Sequence, residues 1–226
     1  MNELDVETRA RLSAGGSSQA IKDAVASAVQ ERIPHAQTLL DVGCGQGGLR
    51  DRMEDFCDEY VGADAIRHDG FPADARFVQA NLDAGRVSLP DGSCDLVACI
   101  ETIEHVENPR ALMRELARLM RPGGLLVVTT PNQLSLLSKL GLVLKNEFIH
   151  FQHAPGLYPA HISALLEVDL VRICRENRLE AIEVRYTGQG RIPLTSKDWP
   201  APFRASRGSL GRAFSDNVLV MAQKPA

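Results

Sequence analysis

The stretch "TLLDVGCGQGG", residues 38–48, joins a short apolar run to a loop carrying Gly43, Gly45, Gly47 and Gly48. Five residues of that kind, stopped by glycines, suit a strand buried on both faces of a parallel sheet. Upstream, "SSQAIKDAVASAVQER" (17–32) repeats apolar residues at helical spacing, with Ser17 or Ser18 available as a cap and Pro34 closing the helix. Downstream, "LRDRMEDFCDE" (49–59) predicts a helix, "YVGAD" (60–64) a second strand and "ARFVQAN" (75–81) a third. "PDGS" (90–93) is a turn signal before a fourth strand, "CDLVACI". Asn108 before Pro109 starts a helix whose buried stripe is Leu112, Leu116, Leu119 and Met120, ended by "RPGG" (121–124). "LLVVTT" (125–130) is a fifth strand.

Strands alternating with helices imply a parallel sheet with helices on both faces. Beyond Pro131 the pattern changes: an apolar helix over 134–145, a loop with His and Pro, a helix over 165–177, and strands over 180–187 and 216–224. No helix stands out between the last two strands, so they are expected to form an antiparallel hairpin. The fold class is therefore α/β: a Rossmann-like seven-stranded, mostly parallel sheet with a C-terminal antiparallel hairpin.

The 226 residues suffice for one full core, and a net charge of −4 with 24% charged residues argues against a general nucleic-acid binder. "MNELDVETRARLSAGG" is charged and has no apolar core of a secretory signal, and no run approaches the roughly 18 residues of a membrane span. Five cysteines without a C-x-x-C pair fit reduced thiols in the cytoplasm.

Glycines at the end of a first strand admit positive φ and close approach of a ligand, expected at the carboxyl ends of the strands. Gly43, Gly45 and Gly48 also satisfy G-x-G-x-x-G, so a dinucleotide oxidoreductase stays open on these residues. Asp64, ending the second strand, could accept both hydroxyls of an adenosine ribose. The motifs "LLDVGCGQGG", "VGAD", "LPDGSCDLVACIETIEHVENP" and "RPGGLLVVTTPN", in this order, closely resemble the class I S-adenosylmethionine-dependent methyltransferases over residues 38–132, and "SDNVLVMAQKP" agrees. The resemblance implies that Asp41, Gly43, Cys44, Gly45 and Gly47 border the methionine part of S-adenosylmethionine. It places Asp64 on the ribose, Ala63 and Ala65 beside the adenine, and Asn81 and Leu82 at the ring, with Asn81 departing from the acid common there. Cys99, Ile100 and Glu101 would lie beside the sulfonium.

"IETIEHVENP" (100–109) sets Glu101, Glu104 and His105 at i, i+3 and i+4, which one helical turn would bring to a single face. His105 is a candidate general base for an oxygen nucleophile. The E-x-x-E-H pattern is similar to ubiquinone-pathway O-methyltransferases and to small-RNA 2′-O-methyltransferases, where such residues with a later histidine hold a divalent ion. That likeness implies Glu101, Glu104, His105 and His161 as metal ligands, His150 and His153 being alternatives to His161. Glu101, His105 and His161 are the expected catalytic residues.

Acceptor specificity is expected outside the core pattern. The division is an N-terminal helical segment, 1–37, and a methyltransferase domain, 38–226, with substrate-side insertions near 131–163 and 188–214. Residues 185–212 carry Arg185, Arg191, Lys197, Arg204, Arg207 and Arg212 against Asp198 alone. The order "TTPN", apolar helix, "AHIS", helix is similar to bacterial glycan-associated methyltransferases. The expected activity is O-methylation of a small-molecule or glycan- or lipid-linked hydroxyl, with RNA 2′-O-methylation as the alternative and peripheral membrane contact as an added expectation.

Overall fold

The opening apolar run lies in β1 (Ala36–Val42), whose last four residues are all buried. The computed structural model describes residues 5–13, 15–154 and 157–226, so residues 155 and 156 of the first insertion lie outside the described residues. β1 is flanked in parallel by β2 (Cys57–Asp64) and β4 (Cys94–Ile100). β3 (Arg76–Gln79) extends the sheet beyond β2, and β5 (Met120–Pro131) beyond β4, both parallel. β7 (Asn217–Gln223) runs antiparallel between β5 and β6 (Glu180–Tyr186), giving the order β3-β2-β1-β4-β5-β7-β6. This is the seven-stranded, mostly parallel sheet with an antiparallel C-terminal pair that the pattern predicted.

Alternating side chains send the core to both faces. Leu39 and Leu96 join one layer with Ile21, Val25 and Val29 of α2 (Gln19–Gln30) and with Met53 of α3 (Arg50–Met53). Their sequence neighbours Leu40 and Val97 join the other, with Leu112 and Leu116 of α4 (Pro109–Leu119) and Leu170 and Ile173 of α6 (Glu167–Glu176). The caps form as read: Ser18 Oγ accepts from Ile21 N at 3.3 Å, and Asn108 Oδ1 from Ala111 N at 3.0 Å. β1 and β4 are adjacent although the chain leaves β1 toward β2, which puts the topological switch point at their carboxyl ends.

Four expectations need correction. The helix over 49–59 is confined to α3, because Cys57 and Glu59 pair with Ala36 and Thr38 of β1 and sheet pairing overrides the local helical pattern. Arg121–Gly124 continue into β5 after α4 closes at Leu119, with Met120 opposite Cys94. Between β6 and β7 stands α7 (Gly208–Phe214), a glycine-bearing helix of about two turns that propensity does not announce. The helix α1 (Val6–Leu12), capped by Asp5, lies ahead of the expected N-terminal helix.

Candidate active site

A cavity of about 670 Å³ opens at the carboxyl ends of β1, β2 and β4, roofed by α1 and the start of α2. Asp41, Gly43, Cys44, Asp64, Ala65, Leu82, Ile100, Glu101, His105 and His161 all line it. The loop after β1 can reach the cavity because Gly43 lies at φ +74° and a Cβ there would strike the Thr102 side chain. Asp64 holds that loop: its Oδ2 accepts from Gly45 N at 2.9 Å and its Oδ1 from Ala65 N at 2.7 Å. Burial raises the Asp64 carboxyl above its ordinary value, while the two backbone donors act the other way.

Burial likewise pushes Asp41 up to about 7, against a hydrogen bond donated by Tyr60 Oη at 2.7 Å. Lys22 of α2, only 8% exposed, faces the same cavity and makes no ion pair among the described residues. Its charge acts on Asp41, but no carboxylate among the described residues lies in ion-pair contact with it, so an anionic group of a ligand can take that place. An amino-acid carboxylate opposite Lys22, an ammonium opposite Asp41 and a ribose opposite Asp64 describe the polar groups of S-adenosylmethionine. Leu82, Ala65 and Val106 supply apolar wall.

The other implied cofactor residues take different places. Gly45 and Gly47 shape the loop from behind, packed on Gly15 and Pro72. Ala63 and Cys99 are fully buried within strands, and Cys99 belongs to the core, where burial raises its thiol further. Asn81 turns back on its own loop, its Oδ1 accepting from Asp83 N and Ala84 N at 3.0 and 3.2 Å. Its short polar side chain closes a local turn, so Asn81 is absent from the cavity wall.

The acid–acid–histidine segment does not form the expected α-helical turn. Glu101 sits at φ +50° and only Ile103–His105 coil, as a single 3₁₀ turn. Glu101 is therefore drawn to the sheet, its Oε1 accepting from Thr129 Oγ1 at 3.1 Å and its Oε2 from Asn217 Nδ2 at 2.8 Å. Burial raises its carboxyl to about 7. Glu104 points elsewhere: it is 0% exposed, Oε2 accepts from Thr130 Oγ1 at 3.0 Å, and Oε1 has no hydrogen-bond partner among the described residues. Burial, then the neighbouring Glu101 charge, holds its carboxyl well above the carboxylate range.

His105 and His161 complete a tight cluster with Glu104: one donor atom from each lies within 4.8 Å of the others. The rings meet edge to face at 4.7 Å between centroids. His105 Nδ1 donates to Ala160 O at 3.0 Å and His161 Nδ1 to His150 O at 2.7 Å, which leaves both Nε2 lone pairs unengaged by these bonds. Burial, helped by the other imidazole, lowers His105 to about 4, and burial lowers His161. His150 supplies a carbonyl, and His153 packs on Tyr158 away from the cluster.

Two buried basic residues of the cavity escaped the sequence reading. Arg9 of α1, 5% exposed, donates from Nε to His105 O at 3.2 Å and pairs with Asp83. Lys22 had a signal: a lysine at helical spacing with Ala26 and Val29, on the buried face.

A methyltransferase-domain family model matches residues 14–184. The chain belongs to the methyltransferase-domain family. A ubiquinone biosynthesis O-methyltransferase from Thiobacillus denitrificans is 31% identical, the match covering 74% of each protein. A "probable S-adenosylmethionine-dependent methyltransferase" from Mycolicibacterium smegmatis is 30% identical over 47% of this chain, which spans 44% of that relative's length. In fold, a SAM-dependent methyltransferase from Archaeoglobus fulgidus superposes with a TM-score of 0.61 at 18% identity, over 90% of this chain and 94% of that one. The family match replaces the dinucleotide oxidoreductase reading of the glycine loop.

Proposed function

We propose that this chain is a cytoplasmic S-adenosylmethionine-dependent O-methyltransferase acting on a small-molecule or glycan- or lipid-linked hydroxyl. The observation that carries the oxygen assignment is the pair of imidazoles, His105 and His161, at the wall of the cavity, with a carboxyl oxygen of Glu104 within 4.8 Å of both. Support for the cofactor comes from Asp64, Asp41 and Lys22, and for the oxygen acceptor from the kinship with a ubiquinone-pathway O-methyltransferase. The five free cysteines agree with a reducing compartment. We assign acceptor selection to 1–37, 131–163 and 188–214.

In the reaction the acceptor oxygen attacks the methyl carbon as the carbon–sulfur bond breaks, leaving a neutral thioether and a proton on the attacking oxygen. A base near 4 does not form an alkoxide beforehand. His105 instead takes the proton from the oxygen as it acquires oxonium character, which needs a free lone pair more than a high pKa. Glu101, anchored to Thr129 and Asn217, orients the hydroxyl.

Glu104, His105 and His161 also suit a divalent ion: a carboxylate with an orphan oxygen and two imidazoles, each ring braced by a carbonyl. Two nitrogens and one oxygen favour zinc or iron over magnesium. Bound there, such an ion would lower the pKa of an acceptor hydroxyl. Glu101 lies outside this cluster, its carboxyl held toward β5 and β7 by Thr129 and Asn217.

The test is turnover with labelled methyl donor across phenolic, lipid-linked and sugar hydroxyls. His105→Ala is expected to lower kcat by about 100-fold or more, with affinity for S-adenosylhomocysteine within a few-fold of the parent. A fully active variant removes the base role. Titrating chelator-treated protein with Zn²⁺ is expected to show one site, abolished by His161→Ala. No uptake of Zn²⁺, Mn²⁺ or Mg²⁺ would eliminate the metal.

A further inference from the structure

The helix α5 (Leu136–Lys145) is built inside out. Its buried members are Ser138 and Gly141, the two smallest residues it has. Leu136, Leu140, Val143 and Leu144, at i, i+4, i+7 and i+8, form the stripe that a helix ordinarily turns to a core. Here Val143 is 81% and Leu144 70% exposed, Leu136 stands outward with them, and Leu140 is half-buried.

The orientation is held by specific contacts. Ser138 Oγ donates to Gln133 Oε1 at 3.1 Å, and Ser138 N donates to the capping Ser135 Oγ at 3.1 Å. A Cβ on Gly141 would come within 3.0 Å of Glu147 O, so the inward face has no room for a leucine. Rolling the stripe inward would place branched side chains where a hydroxyl and a glycine now fit.

Charge says what the outer face meets. Lys139 and Lys145 are exposed on this helix, Lys145 Nζ donating to Gln152 Oε1 at 3.4 Å, and no acid occurs between Ser135 and Asn146, the exposed Glu147 being the first beyond it. A second basic element springs from the same corner: Asn132 N, just before α5, donates to Asp216 O, and Asp216 N donates to Gln189 O, each at 2.7 Å. The loop that leaves from Gln189 carries Arg191, which pairs with Asp216 at 3.9 Å, Lys197 next to Asp198, and a 95%-exposed Leu194. Two copies of this face would oppose lysine to lysine, whereas an anionic lipid surface complements both the cations and the leucines.

We propose that α5 docks in the plane of an anionic bilayer surface, burying Leu136, Leu140, Val143 and Leu144 at the headgroup boundary with Lys139 and Lys145 on the phosphates. No helix among the described residues is long and apolar enough to cross a membrane, and ten residues reach only about 15 Å. The docked helix packs on the turn Ile149–Phe151, whose His150 carbonyl holds His161 at the cavity wall. It rests on the proposed function only in that the bilayer would supply a lipid-linked acceptor to that wall.

The test is flotation of the full chain with phosphatidylcholine vesicles, with and without phosphatidylglycerol, alongside calorimetry with S-adenosylhomocysteine. The chain is expected to float with the anionic vesicles and to be released by salt. Val143→Ser with Leu144→Ser should lower partitioning at least about tenfold, and Lys139→Gln with Lys145→Gln about fivefold per lysine, while both variants bind S-adenosylhomocysteine as the parent does. Protein that binds S-adenosylhomocysteine yet ignores anionic vesicles overturns the proposal. So does a concentration-dependent dimer that the serine variant abolishes, since a second copy would then own the face. Flotation without any S-adenosylhomocysteine binding would uphold the docking and defeat the cofactor reading instead.

Discussion

Replacing Asp41 by Asn removes a charge that the fold accommodates poorly. The carboxyl is 3% exposed, and burial lifts it from 3.8 to about 7, against the opposing hydrogen bond from Tyr60 and the charge of Lys22. A folded-state value above the unfolded one stabilises the protein in full below the unfolded value, and that contribution is lost as pH rises through the folded value. A shift of about 3 units corresponds to about 4 kcal/mol across the whole window. Between about pH 5 and about pH 8.5 roughly two of those units are crossed, so the parent should lose about 3 kcal/mol relative to Asp41→Asn. Asparagine keeps an oxygen for Tyr60 Oη and never ionises, and Glu101 and Glu104 titrate in both proteins, so they largely cancel in the difference. Urea unfolding of the cofactor-free protein, followed by circular dichroism at the two pH values, measures it. If parent and variant change in parallel, the Asp41 carboxylate is not desolvated as the structure has it.

Lys22→Met should weaken S-adenosylhomocysteine binding by about 10- to 100-fold, the worth of one charge-assisted hydrogen bond, with turnover at saturating cofactor within a few-fold; an unchanged calorimetric Kd would discard Lys22 as the carboxylate partner. Gly43→Ala puts a methyl group at φ +74° against Thr102, which should lower stability by about 1–3 kcal/mol and abolish cofactor binding. Thermal unfolding checks the first part, and an unaltered Tm would contradict it.

The sheet was legible because burial on both faces imposes its own composition: "TLLDV", "CDLVACI" and "LLVVTT" leave few alternatives to parallel central strands. The glycine loop and Asp64 were legible for a related reason, since a turn with φ +74° at Gly43 excludes most side chains. What the sequence concealed depends on distant partners. Nothing local marks Arg9 as a cavity residue, because its place follows from Asp83 and the His105 carbonyl, far along the chain. α5 was legible as an apolar helix, yet which side it buries depends on the space left by Gln133 and the Glu147 carbonyl.

The segment at Glu101 shows how one backbone angle reorganises a chemical site. Helical spacing alone would have stacked both carboxylates and His105 on one face, a crowded arrangement in which like charges oppose each other. At φ +50° the chain instead hands Glu101 N–H to Thr129 and the Glu101 carboxyl to Thr129 and Asn217, tying that residue to β5 and β7. Freed from that face, Glu104 meets His105 and His161, and its backbone carbonyl accepts from Ile162 N and Ser163 N at 2.9 Å. Those two bonds bring the distant His161 to the cluster, so the strained residue after β4 and the histidine of the first insertion are parts of a single construction. Sequence spacing showed both carboxylates; only the left-handed turn decides that one belongs to the sheet and the other to the histidines.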